Sequence, residues 1–284
     1  MQPNANALDS VRAFLDNEDS PDIRNPIHST AVAHEFGFSG PLVGGVTVWS
    51  WCAPAILQAL GDAWLDHGWC TFRFRRPTYP GDDLAIRVEA GSPRTLRMTN
   101  QAGVDCVVGE LGLGDAPWLD ELERPTTPLT PAEVPTPPLL TRESAPVGRD
   151  WTPVMDVLTD EDHAAYLHES HPHRDGDDPF QGLGARIHPG WTAGRAERIM
   201  RHNQHVPSSI HVQSRLQFLA PALAGGIMIT GARVRRIFER KGHHGVVFDV
   251  LISDAEGAAV AQIEHTTIFR IARPDERPAG ASRA

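Results

Sequence analysis

One order of apolar runs, glycines and prolines is used twice in this chain, and that duplication limits its possible folds more than any single motif does. From Gly45, which opens the apolar stretch GVTVWSWCAPAILQAL, to Pro77, which follows CTFRFRR, is 32 residues; from Gly190, which opens GWTAGRAERIM, to Pro221, after IHVQSRLQFLA, is 31. A short helical pattern and a histidine-bearing turn precede each glycine. SVRAFLDNED, with Ser10 as N-cap, leads to Asn25-Pro26-Ile27-His28, and TDEDHAAYLHES, capped by Thr159 or Asp160, leads to His171-Pro172-His173. Strand-like runs follow each helix start. They are CTFRFRRPTYPGD, DLAIRVEAG and VDCVVGELGLG in the first half, broken at Pro80-Gly81-Asp82 and Gln101-Ala102-Gly103. In the second half they are IHVQSRLQFLAPA, IMITGARVRRIFERKG, HHGVVFDVLISDAEG and AAVAQIEHTTIFRIA, with a turn at Asp254-Ala255-Glu256-Gly257.

Between the halves, nine prolines from Pro117 to Pro153 leave no helical or strand period, which marks a linker. The expected layout is a first repeat over 1–116, a linker over 117–153, a second repeat over 154–273 and a disordered tail over 274–284. One long apolar helix followed by antiparallel strands predicts an α+β unit whose sheet wraps around the helix. Two such units in one chain can pair their sheets edge to edge.

Composition narrows the partners. Hydrophobic residues make up 40% and charged residues 22%, and no apolar run approaches the roughly 20 residues of a membrane helix, so a soluble protein with no membrane partner is expected. The N-terminal residues show no basic region followed by an apolar stretch, and Cys52, Cys70 and Cys106 form no CxxC spacing; both fit a cytoplasmic location without disulfides. A net charge of -10 argues against nucleic acid as the main partner. The repeats can satisfy each other, so a monomer or a homodimer is expected.

The motifs NPIH at 25–28 and RRPTYPGDDL at 75–84 resemble those of the MaoC-like (R)-specific enoyl-thioester hydratases of the hotdog superfamily, and the duplicated chain resembles their double-hotdog members. HPGWTAGRAERIM, ERKGHHGVVFDVLISDAEG and AQIEHTTIFRIA are similar to the C-terminal repeat of that group. The likeness covers roughly 10–115 and 155–272. It implies a tandem hotdog, two antiparallel sheets each wrapped around a long central helix, acting on an acyl thioester of coenzyme A or a carrier protein with no cofactor. The family motif runs Gly-Asp-x-Asn-Pro-(Ile/Leu)-His, with Asp and His holding a water, and a His-Gly-Met turn opens the central helix. Here Asn25, Pro26, Ile27 and His28 match, but Ile23 stands at the Asp position, with Asp22 one residue earlier, and the helix opens with Val43-Gly44-Gly45-Val46.

Adding water across an enoyl thioester needs a base for the water and an acid for the α-carbon, and backbone N–H groups at a helix start can hold the carbonyl as charge builds on it. His28 is accordingly the expected general acid/base, or else a capping histidine. Asn25 braces the turn or the substrate carbonyl, and Asp22 is a displaced partner carboxylate or a solvated loop residue. Gly44 and Gly45 contact the thioester or serve close packing. In the second half Glu169, two before His171, and His188 with Gly190 offer either a second site or groups completing the first; a helix-entry hydrogen bond is the plainer reading of His188. Arg73 and Arg75 share a strand face that could meet the ligand's phosphates, or a solvated face. His168, His171, His173, Asp175 and Asp177 invite a metal reading, but no second ligand cluster follows them and no metal is expected. Two other functions stay open: a related hotdog reaction (isomerisation, cyclisation or thioester hydrolysis) and a non-catalytic acyl-thioester-binding partner subunit.

Overall fold

The computed structural model describes residues 6–15, 25–170 and 178–278. The first half runs β1 (Ala7–Arg12), a 3-10 turn (Pro26–His28), α1 (Thr30–Glu35), α2 (Gly45–Ser50), α3 (Ala53–Leu60), α4 (Trp64–His67), β2 (Gly68–Phe74), β3 (Asp83–Glu89), β4 (Arg94–Thr99) and β5 (Asp105–Leu113). The second runs β6 (Asp150–Val157), α5 (Asp160–Ser170), α6 (Pro189–Asn203), β7 (Ile210–Phe218), β8 (Ile227–Arg240), β9 (His243–Asp254) and β10 (Ala259–Arg270).

The strands form one ten-stranded sheet in the order β1-β3-β4-β5-β2-β7-β10-β9-β8-β6, and its strand pairs are antiparallel. The order is the same when read outward from the β2–β7 seam in either direction, each half contributing five strands. The duplication is therefore physical, and the two expected sheets are the halves of one. At the seam Trp69 opposes Gln217 and Arg73 opposes Gln213.

Three local expectations are corrected. The SVRAFLDNED segment is not a helix at its start: Ala7–Arg12 is an edge strand, with Ala7 opposite Val88 and Arg12 opposite Asp83. Sheet pairing there overrides the local helix signal. The first central helix is not continuous either. Pro54 has no N–H to donate to the Ser50 carbonyl, so Cys52 N–H turns back to Trp49 O and α3 starts afresh. Gly61, at φ 74°, then ends α3. The second central helix, α6, is unbroken over 15 residues. Third, β4 adds a strand where the sequence suggested only three.

The linker is not loose chain. Glu123 N–H donates to Asp249 Oδ2 (2.6 Å), and Thr126 and Thr127 N–H donate to Asp150 Oδ2 (2.7 and 2.8 Å), which ties it to the second half-sheet. The edge strand β6 begins inside the stretch read as linker. At the other end, residues 274–278 pack rather than trail: Arg277 Nη2 donates to the carbonyls of Phe36 (2.6 Å) and Ala272 (3.1 Å).

The core lies between the helices and the inner face of the sheet. Trp49, Trp51 and Trp64 are at most 1% exposed, and Trp49 stacks on Phe72 at 4.0 Å between centroids. Trp191 is buried as well, and all three cysteines are free and buried. Among the described residues no helix is long and apolar enough to cross a membrane.

Candidate active site

His28 ends the 3-10 turn that Pro26 starts, and Asn25 fixes that turn to the other repeat. Asn25 Nδ2 donates to Ser209 O (2.9 Å), and Ser209 N–H donates back to Asn25 Oδ1 (3.2 Å). Ser209 Oγ donates to Glu197 Oε1 (2.5 Å), and Arg201 on the same α6 face donates to Glu197 (2.8 Å), Ser209 Oγ (2.9 Å) and Val206 O (2.7 Å). A turn of the first repeat is thus held by the central helix of the second, and Asn25 is a brace.

Among the described residues the His28 ring is held by its Nδ1, which donates to the Leu42 carbonyl at 2.6 Å. A carbonyl only accepts, so the neutral ring carries its proton on Nδ1 and its lone pair on Nε2. Burial lowers the pKa of His28; the Leu42 carbonyl and Glu197 oppose that shift, and Arg201 adds to it. The ring is therefore neutral near pH 7, with Nε2 able to accept a proton. A methyl built on Gly44 would sit 3.6 Å from His28 Cε1 and 3.7 Å from Nε2, so the bare Gly44 backbone faces the base. Among the described residues, neither the Gly44 nor the Gly45 N–H donates a hydrogen bond, while the Val43 N–H is used by Thr78 O.

Gly45 faces another group. A methyl there would lie 2.9 Å from His211 Cβ, 3.3 Å from His211 Nδ1 and 3.2 Å from Phe74 Cζ. The Gly44–Gly45 turn is bordered by His28 from its own repeat and His211 from the other.

The second repeat is closed at the matching place. Gly190 N–H donates to His188 Nδ1 (3.1 Å), so His188 is the N-cap of α6. A methyl on Gly190 would overlap Ser50 Oγ and Tyr166 OH, which bond to each other at 2.7 Å. The expected substrate role of His188 and Gly190 has no room here: the amide is spent and the space is filled. Asp22 lies outside the described residues, as do His171, His173, Asp175 and Asp177, and the side chain of Glu169 is also outside them. Among the described residues no group of three His, Cys, Asp or Glu side chains could hold a metal.

Arg73 points the wrong way for the site. Phe72 packs inward on Trp49, and strand alternation turns Arg73 outward, where its Nε donates to Gln213 Oε1 (3.1 Å). It lines an open groove of about 890 Å³ with Arg87, Arg97, Glu110 and Arg215, across the sheet from His28. Arg75 is exposed just past the strand.

Glu197, His211, Ser214 and His265 were not legible as site residues. A β-bulge at Val212 is the reason for part of this: Thr266 opposes Gln213, but Thr267 opposes His211. Without it, residues 211 and 214 would fall on opposite faces; with it they share one.

No family model matches the sequence, and no curated protein does. Solved structures match the whole fold. A MaoC-like dehydratase superposes with TM-score 0.59 at 15% identity over 88% of this chain and 90% of its own. A conserved hypothetical protein from Mycobacterium tuberculosis, described as having a double hotdog fold, gives 0.54 at 15% identity over 84% of each chain. A Lactobacillus plantarum protein provisionally assigned as an oleoyl thioesterase gives 0.50 at 10% identity over 94% and 96%. At these identities the likeness is one of fold, and the fold is the double hotdog.

Proposed function

We propose that this double hotdog chain is an enzyme acting on acyl thioesters, and that it adds or removes water across an enoyl or 3-hydroxyacyl thioester at the Gly44–Gly45 turn. The observation that carries the reading is the His28 ring, fixed by Leu42 with its Nε2 lone pair beside the bare Gly44 backbone. In hydration, His28 Nε2 takes a proton from water as the oxygen bonds the β-carbon and the electron pair moves to the α-carbon and carbonyl; the protonated His28 then returns that proton from Nε2 to the α-carbon, which restores the carbonyl and the neutral ring. The uncommitted N–H groups of Gly44 and Gly45 supply donors for the carbonyl oxygen as charge gathers on it. The ligand is coenzyme A or carrier-protein bound, and no resident cofactor is invoked. The likeness to MaoC-like dehydratases supports this choice.

A second reading, thioester hydrolysis, is favoured by the thioesterase-assigned structure of the same fold and by Ile23 at the family's Asp position, which leaves His28 as the described base. One assay separates the two. With crotonyl-coenzyme A, hydration removes enoyl absorbance without freeing thiol, whereas hydrolysis frees thiol. Either signal from wild type and not from His28→Ala supports the His28 site, and a substantial residual rate in His28→Ala sinks it.

A further inference from the structure

The inner face of the sheet carries a polar row that the mechanism above does not use. Across β2, β7, β10 and β9, Phe72 opposes Ser214, Ser214 opposes His265, and His265 opposes Phe248. Within this aromatic setting Ser214 Oγ bonds His265 Nδ1 at 3.0 Å and His211 Nε2 at 2.8 Å, and the two imidazoles lie 4.2 Å apart. Phe72, Phe74 and Phe248 pack around the pair. Burying two imidazoles among phenylalanines is costly, and among the described residues two of their nitrogens remain buried without a partner: His265 Nε2 and His211 Nδ1. The second of these is the atom that faces Gly45.

We propose that His211 is a catalytic residue contributed by the second repeat: as a neutral imidazole it donates from Nδ1 to the thioester carbonyl oxygen held at the Gly44–Gly45 turn. Ser214 and His265 are positioning residues that set its tautomer. The proposal rests on the reading of that turn as the carbonyl contact. The two bonds admit two directions of donation, and the proposal takes the one that leaves a donor on His211 toward the turn. Ser214 Oγ has one proton and each neutral ring has one; if His265 Nδ1–H donates to Ser214 Oγ, and Ser214 O–H donates to His211 Nε2, then the His211 proton must sit on Nδ1. Burial favours this neutral state: it pulls the pKa of His211 down to about 3, against a backbone contact at Gln213, and it pulls His265 down as well, with His211 adding to the effect. A neutral donor strengthens its hydrogen bond as the carbonyl gains charge and needs no proton transfer of its own.

Two measurements test it. Nitrogen-15 NMR of histidine-labelled protein at neutral pH, with the His211 signals assigned by their loss in His211→Phe, reads the tautomer without substrate. Protonated Nδ1 with bare Nε2 is expected; bare Nδ1 overturns the proposal. Isotope-edited infrared spectra of carbonyl-labelled butyryl-coenzyme A then report the contact. The carbonyl band of the bound thioester shifts down in wild type and recovers part of that shift in His211→Phe, while crotonyl-coenzyme A turnover falls about 100- to 1,000-fold. Ser214→Ala mixes the two tautomers in the NMR spectrum and Ser214→Thr restores the Nδ1 form. If wild type binds no butyryl-coenzyme A, the thioester reading fails and this proposal with it. If wild type binds and turns over but His211→Phe keeps both the carbonyl band and the rate, the proposal alone fails.

Discussion

His28 Nδ1 and the Leu42 carbonyl oxygen lie 2.6 Å apart, and that bond decides which nitrogen of the ring can work as a base. Burial holds the pKa of His28 below its ordinary value of 6.5. As a base it must be neutral, so turnover rises with pH through an apparent pKa below 6.5 and is level at neutral pH. His28→Ala lowers kcat about 100- to 10,000-fold, the usual worth of a positioned acid/base group. A pH–rate profile of kcat/KM on crotonyl-coenzyme A checks this; a limb that falls only above pH 7 would contradict the assignment.

Gly44 and Gly190 stand at the starts of the two central helices but differ in what surrounds them. A methyl on Gly44 makes ordinary contacts of 3.6–3.7 Å with His28 and Thr47, so Gly44→Ala folds with a Tm near that of wild type and loses activity by filling the gap beside the base. A methyl on Gly190 meets Ser50 Cβ at 2.9 Å and overlaps both Ser50 Oγ and Tyr166 OH. Overpacking of this kind costs about 1–3 kcal/mol, so Gly190→Ala lowers stability. Thermal melts and steady-state rates of the two variants separate the open turn from the closed one; equal activity in Gly44→Ala and wild type would count against the site.

The parts of this architecture that were legible in the sequence are those set by local pattern. Glycine and proline punctuation gave the repeat, and most strands follow alternating runs. What was missed depends on partners distant in the chain. The segment from Ser10 reads as helix alone, but Ala7–Arg12 pairs with β3, 71 to 81 residues away by its Arg12–Asp83 and Ala7–Val88 registers. Pro54 and Gly61 were visible, yet the apolar surface of 45–60 masked the break they cause. At the site, NPIH pointed to His28, whereas the Asn25–Ser209 brace, Glu197 and His211 cross from one repeat to the other, and the bulge at Val212 hides the His211–Ser214 pair from any period-two reading.

His188 is predicted to matter for folding and not for turnover. Its Nδ1 accepts the Gly190 N–H, its ring packs at 4.5 Å from Phe180, and its own N–H donates to His163 Nε2 at 3.3 Å. Loss of an N-cap costs about 1 kcal/mol. His188→Asn keeps a capping oxygen and most of the stability, while His188→Ala loses the cap and the ring packing. Both keep kcat within about threefold at temperatures where they are folded, since an effect smaller than ~0.7 kcal/mol on the barrier is at most that large. A loss of kcat in folded His188→Asn would restore a functional role for this residue.

Acid should destabilise the fold in two stages. His28, His211 and His265 all have pKa values lowered by burial, to about 3 for His211, against about 6.5 in an unfolded chain. Below pH 6.5 the unfolded chain binds protons that the native state excludes, so stability is complete above that pH and declines as the pH falls toward 3. Each fully excluded proton steepens the decline by about 1.4 kcal/mol per pH unit. A second stage belongs to Asp150. Burial works against its charge, but Arg233 (2.9 Å) and the Thr126 and Thr127 amides hold its carboxyl down at about 2, so its contribution fades between pH 3.8 and 2. Urea unfolding at pH 7, 6 and 5 probes the first stage alone. His265→Phe removes one of the excluded protons and gives a shallower dependence over that interval, whatever it does to stability at pH 7. Parallel curves for wild type and His265→Phe would mean that His265 is protonated in the folded protein, which is incompatible with its place between His211 and Phe248.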